Sequence, residues 1–389
     1  MNTNTLKRKR IDELDIIKGI AILMVCFHHI NELTGVTALN NPVIMKIFTF
    51  QESYMVLFFL CSGYVFSVKG SVWQDIFKKV KQLLLPLLKI GIVDTLIYFL
   101  RYIIIEKQSL LWFADNTATN FLGFSNWNIR LGEVAPNQMS YAFVPYWFIF
   151  ELFSAFCIFI PIKKLIEKKH ISLQVLATAL LFSISMVINR FDIQHTLADT
   201  FNSNVSFFLV LINVFGFAAL LMLGNLVKSF DLFDMEAHKT SFNVIAALIS
   251  LAGCVVLFAT YKNTGYALQY GKWGPFGYLS IPVTALGGLL VTYLLIFIAQ
   301  YLKKIKVLKI ALSYLGSNSL YILLLHFAIA ECICWIGGFW HNIYHGEPFP
   351  AEEFSLLKFG ITVIGTAAVI GAYFAIKSFI TKRKKAKSV

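Results

Sequence analysis

Ten apolar stretches recur along this chain, each close to the 20 or so helical residues that cross ~30 Å of bilayer hydrocarbon. They run at roughly 14–33, 48–67, 83–105, 144–162, 172–189, 205–227, 243–261, 276–300, 312–335 and 355–378. A segment in hydrocarbon has to satisfy its own backbone hydrogen bonds, which leaves the helix as the form such windows take. The expected fold class is therefore all-α, a polytopic transmembrane bundle of ten helices. Composition excludes an ordinary soluble domain: 58% of the residues are apolar, only 14% are charged, and there are 37 Phe, 16 Tyr and 7 Trp.

The connections test that count. With the amino terminus inside, the cytoplasmic segments hold Lys7 to Arg10, Lys69 to Lys81, Lys163 to Lys169, Lys228 and Lys239, Lys303 to Lys309, and Lys377 to Lys387. That is about 24 basic residues, against about five (Lys107, Arg130, Arg190, Lys262, Lys272) on the other side, the asymmetry of the positive-inside rule. Both termini are expected in the cytoplasm, with the protein multi-pass in the inner (cytoplasmic) membrane. The net charge of +13 is then topology-setting lysine, and no nucleic-acid partner is expected. Lys7–Arg10 precede an apolar run as in a secretory signal. That run is interrupted by Lys18 and lacks a small-residue cleavage site, so an uncleaved first span is expected. The six cysteines lie in or beside apolar windows, in no zinc-like spacing, and read as small apolar fillers. With no repeat or soluble insert, residues 1–389 read as one membrane domain, with a core at about 10–378 and a basic cytoplasmic tail at 379–389.

The first span, DELDIIKGIAILMVCFHHINEL, carries Asp15 and Lys18 low down and His28 and His29 high up. Charged and titratable groups within a spanning helix are costly, and they usually face a cavity or a partner. Lys18 and His29 lie only ~20° apart around the helix and about 16 Å apart along it. His28 falls ~80° off that stripe, so His29 is the better candidate. Asp15, three residues before Lys18, can partner it.

Two more titratable groups fall at a similar depth in the outer half. His29 is roughly 8 Å below the outer end of its span, and Glu151 about 10 Å below the start of the fourth. His326 is about 21 Å up a ninth span that rises from Leu312. A carboxylate beside an imidazole can hold its tautomer and raise its basicity, the arrangement of a general base. His29, Glu151 and His326 are thus the catalytic candidates, each with the plainer reading of a buried polar group satisfied by a neighbour. Adjacent His28 and His29 diverge around the helix, so no metal is expected. Lys78, Lys79 and Lys81 precede Gln82 and Pro86, and with Lys18 they form a cationic mouth suited to a phosphate-bearing ligand. Topology-setting lysine explains them equally well. Ser62 and Gly63 allow close helix approach or a local break. Asp94 is a buried acid whose expected partner is Lys89 or a polar neighbour. The long connection Glu106–Tyr141, with Trp112, Phe113, Phe121, Phe124 and Trp127, could bind a sugar or form an interfacial belt.

Leu14-Asp15, then Lys18-Gly19-Ile20-Ala21 through to His29, resembles the first-helix signature of the acyltransferase 3 family of integral membrane O-acyltransferases. The resemblance continues in order through Phe58-Phe59 to Ser62-Gly63-Tyr64, the basic stretch running into Pro86, Tyr146-Trp147-Phe148 to Glu151-Leu152, and Ser319-Leu320-Tyr321 to His326. Its wording is most similar to the fucose 4-O-acetylase-like branch, which acetylates surface polysaccharides. The resemblance implies ten core helices, acetyl-CoA as donor from the cytoplasm, and a hydroxyl of a surface or lipid-linked carbohydrate as acceptor. It also implies that His29 is the essential histidine and that Lys18 stands where arginine is usual. Members often carry an arginine pair before the third-helix proline; here Lys79 and Gln82 stand nearest. A glycan transporter without acyl transfer is the alternative from another class, since intramembrane charges also suit alternating access. It calls for an inverted repeat that the chain does not display. A catalytically dead relative with a structural or sensory role is a third.

Overall fold

A computed structural model of the chain describes residues 11–34, 51–105, 107–111, 113–114, 147–167, 169–191, 206–264, 280–345 and 355–386. Among these residues the regular structure is helical throughout, with no strand. The first span is α1 (Asp12–Thr34), followed by α2 (Gln51–Val65). A continuous helical run follows: α3 (Val72–Lys79), a π-turn (Val80–Leu84), α4 (Leu85–Phe99) and a second π-turn (Leu100–Ile105). Next come α5 (Trp147–Ile166), α6 (Ile171–Arg190), α7 (Ser206–Ser229) and α8 (Thr240–Thr264). The last four are α9 (Ser280–Leu302), α10 (Lys306–Ser317), α11 (Ser319–His345) and α12 (Ser355–Ala386).

Among the described residues, six stretches are long and apolar enough to cross a membrane: Val72–Ile105, Ile171–Ile188, Thr240–Leu257, Pro282–Leu302, Ser319–Ile336 and Lys358–Ile380. Ser53–Val65 and Val214–Ser229 are shorter apolar helices, and the remaining expected windows coincide with α1 and α5. The outward faces suit lipid: along α8, Val244, Ile245, Leu248, Ile249, Val255 and Val256 are all exposed.

One expectation about boundaries is corrected. The ninth window does not rise as one straight helix from Leu312. It breaks at Asn318, whose side-chain amide donates to the Tyr314 carbonyl at 2.9 Å, ending α10 before α11 begins. α12 runs on into the basic segment after 378, as far as Ala386. Most of the connection 106–141, including Trp112, Phe121, Phe124 and Trp127, lies outside the described residues, as do Tyr146 and the amino-terminal basic cluster. Within that connection Phe113 is buried edge-on against Phe99, with ring centroids 5.4 Å apart.

The bundle is assembled around α2, which packs against α1, α7 and α9 and buries Val56 to Cys61. Its contact with α7 is set by reciprocal glycines. A Cβ on Gly63 would strike the Leu221 backbone, and one on Gly224 would strike the Leu60 backbone. The helix runs unbroken through Ser62 and Gly63 to Val65, so that pair serves close approach rather than a local break. A second reciprocal pair joins α1 to α10, its most extensive partner: Gly19 lies against the Leu312 carbonyl and Gly316 against that of Asp15. Small residues of this kind let helix backbones meet where side chains would hold them apart.

Candidate functional site

The foot of α1 gathers its acids onto lysines. Asp12 pairs with Lys309 at 2.6 Å, Glu13 with Lys303 at 2.5 Å, and Asp15 with Lys18 at 2.7 Å. The Asp15–Lys18 pairing is the one the spacing anticipates. Lys303 also reaches Glu236 at 3.3 Å. Burial presses its ammonium down, but hydrogen bonds and charges from Glu13 and Glu236 outweigh that and hold its pKa above the ordinary lysine value.

From this foot α1 and the α10–α11 pair rise in parallel. Gly316 sits against Gly19, and ten residues further along each segment His326 meets His29, with ring centroids 5.3 Å apart. The same ten-residue separation on both segments ties the register of the high contact to the low one. The His29 ring also lies edge-on to Phe327 at 5.5 Å and to His28 at 5.3 Å.

The tautomer of His326 follows from its partners. Its Nδ1 lies 2.8 Å from the Leu323 carbonyl and 3.1 Å from that of Ile322. Carbonyl oxygens only accept, so Nδ1 carries the hydrogen and donates, and the neutral ring presents a lone pair at Nε2. That Nε2 is buried and has no hydrogen-bond partner among the described residues. Leaving a buried polar atom unpaired costs roughly 1–3 kcal/mol.

Glu151 is buried on α5, and its Oε2 likewise has no partner. α5 packs chiefly on α7 and α3, and the His29–His326 pair lies where α1 meets α11. What holds the His326 ring is a pair of backbone carbonyls of α11. Side-chain reading misses that kind of partner, because any helix supplies such carbonyls.

The lysines do not act as one group. Lys79 turns inward, its Nζ 3.9 Å from the Phe156 ring centroid and 5.6 Å from that of Phe66. Lys78 and Lys81 stay exposed, and Lys81 lies over Phe77 at 4.8 Å. Lys18 is half-buried on α1. The segment between α2 and α3, beside Lys79, is gripped from several sides. Lys228 donates to the Phe66 carbonyl and Lys164 to that of Gly70, each at 2.7 Å. Asp75 accepts from the amides of Lys69 and Gly70 at 3.2 and 3.4 Å.

Sequence reading also missed a second polar cluster on α11. Glu331 accepts from Arg101 at 2.6 Å and from the hydroxyls of Tyr98 at 2.8 Å and Tyr102 at 3.2 Å. The Arg101 guanidinium lies over the Tyr102 ring at 4.6 Å and the Trp335 ring at 5.5 Å. Asp94 is buried one turn before Tyr98 on the same side of α4, while Lys89 points out and is exposed. The signal was present, since Arg101 and Glu331 are charges inside apolar windows. Among the described residues no group of three or more His, Cys, Asp or Glu is placed to hold a metal ion.

No curated protein and no solved structure matches the chain. A family model described as an acyltransferase domain matches residues 11–377, which takes in the α1 stripe, the histidine pair and both polar clusters. The match spans nearly the whole chain, and the chain belongs to the acyltransferase 3 family.

Proposed function

We propose that this membrane acyltransferase moves an acetyl group from acetyl-CoA, entering from the cytoplasm, to a hydroxyl of a surface or lipid-linked carbohydrate. The observation that carries the reading is the unpaired Nε2 of His326 against His29, at the upper end of a helix whose lower end carries Lys18. Proton removal at a buried site needs a neutral base of this kind within reach of the hydroxyl. In this reading the acceptor oxygen attacks the thioester carbonyl carbon, its proton passes to the histidine pair, the C–S bond breaks, and the CoA thiolate leaves and takes up a proton. His29 meets the acceptor and His326 shares the proton. Glu151, buried on α5, is the acid that orients or charges the pair.

Lys18 and the inward-facing Lys79 supply cations for the phosphates of the donor, with Asp15 holding Lys18 in place. Ser62 and Gly63 support the site by letting α7 close on α2. Ten spans, both termini in the cytoplasm and residence in the inner membrane complete the proposal; the basic-residue asymmetry supports them.

Membranes carrying the protein, given labelled acetyl-CoA, should place label in glycan. His29→Ala with membrane insertion preserved should abolish transfer, and retained transfer would overturn the proposal. Longer acyl-CoA donors in the same assay define the acyl group.

A further inference from the structure

The run Val72–Ile105 is 34 residues long. At about 1.5 Å per residue a straight helix of that length reaches about 51 Å, against ~30 Å of hydrocarbon. The apolar part from Leu85 to Ile105 alone matches the hydrocarbon, so α3 lies beyond it at one membrane face. Yet the exposed side of α3 carries large aromatic rings. Trp73 is 78% exposed and Phe77 59% exposed, one turn apart, and Lys81 continues the same stripe with its ammonium over the Phe77 ring. Lys78 is exposed beside them. The opposite face carries Asp75, Ile76 and Lys79 toward α5 and the segment before α3. Asp75, the one acid of α3, is engaged by backbone amides there, so the outward face carries aromatic rings, lysine and the neutral amide of Gln74 but no acid.

Between α3 and α4 the chain makes a π-turn, with Pro86 directly behind it. π-turns and prolines are where helices bend. Exposed aromatics beside lysines are the pattern of a helix in the membrane interface, with rings at headgroup level and ammonium groups on lipid phosphates.

We propose that α3 lies in the membrane surface with its Trp73–Phe77–Lys81 face on anionic phospholipid headgroups, Lys78 and Lys81 selecting the charge. The three lysines then divide by the side they face, Lys79 toward the protein interior and its two neighbours toward lipid. The proposal rests on the membrane character of the chain and not on the acyl-transfer reading.

The test uses the full-length protein reconstituted into two vesicle types. In one, phosphatidylglycerol brominated near the headgroup is mixed with plain phosphatidylcholine; in the other, the bromine is on the phosphatidylcholine. The emission of Trp73 is the difference between the natural protein and Trp73→Phe, an exposed and conservative change. Quenching of that difference is expected in both vesicles, about twofold stronger when the anionic lipid carries bromine. A Lys78→Gln/Lys81→Gln protein is expected to lose the preference and keep the quenching. Emission reached by aqueous iodide and not by bromolipid would overturn the proposal, as would emission reached by neither, which would mean that protein covers Trp73. Equal quenching by both lipids would overturn the anionic selection.

Discussion

Two buried polar clusters share α11, and they differ in what is left over. At Glu331, one carboxylate oxygen accepts from Tyr98 and the other from Arg101 and Tyr102, so the acid finds partners on both sides. At His326, one turn and a half lower, Nδ1 is satisfied by its own helix and Nε2 by nothing. A closed network specifies how α4 and the π-turn above it dock on α11. An open one leaves a base available. Charge alone does not separate the two, since both are titratable groups at membrane depth; the pattern of hydrogen bonds does.

The sharpest way to break the comparison is to change what is left over. His326→Asn keeps a side-chain amide donor near the Leu323 carbonyl and removes the lone pair. Acyl transfer is expected to fall by roughly 10²–10⁴-fold, the usual contribution of a general base, with thermal unfolding in detergent little changed. Equal loss of activity and fold would mean that His326 is a structural group. Glu331→Ala should do the converse. It strands Arg101 in a buried site and is expected to cost about 3–5 kcal/mol of stability, measured by thermal or denaturant unfolding. Transfer per folded molecule should persist. Replacing both partners, as Arg101→Met with Glu331→Leu, should recover much of that loss, because an apolar pair leaves no uncompensated charge.

Gly316→Ala sharpens the comparison from below. Its Cβ would meet the Asp15 carbonyl, pushing α10 off α1 at an expected cost of about 1–3 kcal/mol. Because the same contact sets the level at which His326 meets His29, transfer should fall while the Tyr98 and Tyr102 bonds to Glu331 persist. Transfer unaffected by Gly316→Ala would separate the register from the chemistry. The smallest effect concerns the foot of α1. Lys303 has a raised pKa in the folded protein, so its stabilising contribution is full below the unfolded lysine value, about 10.4, and lost as pH rises through the higher folded value. Unfolding curves across that alkaline window should differ between the natural protein and Lys303→Gln, and converge above it.

Much of the architecture was legible because it depends on local pattern. Apolar windows of spanning length, the i,i+3 step from Asp15 to Lys18 and the stripe that aligns Lys18 with His29 are properties of a single helix. The break at Asn318 was not legible, because the apolar run continues across it while Asn318 diverts a backbone carbonyl to its own side chain. The same holds for Lys78, Lys79 and Lys81. They are near neighbours in sequence, but the helix turns one toward Phe66 and Phe156 and two outward.

By itself, then, the sequence determined that the chain would be helical and membrane-spanning, that α1 would carry a cation below an imidazole, and which family signature it bears. The tertiary structure alone decided that His29 would face His326, that Leu323 and Ile322 would hold the His326 tautomer, and that Arg101 would close on Glu331. The reason is distance along the chain. Periodicity and capping act over a few residues and can be read in one helix. A partner some 230 or 297 positions away, as Arg101 is from Glu331 and His29 from His326, is chosen by which helices pack, and here by the glycines that let α1 meet α10.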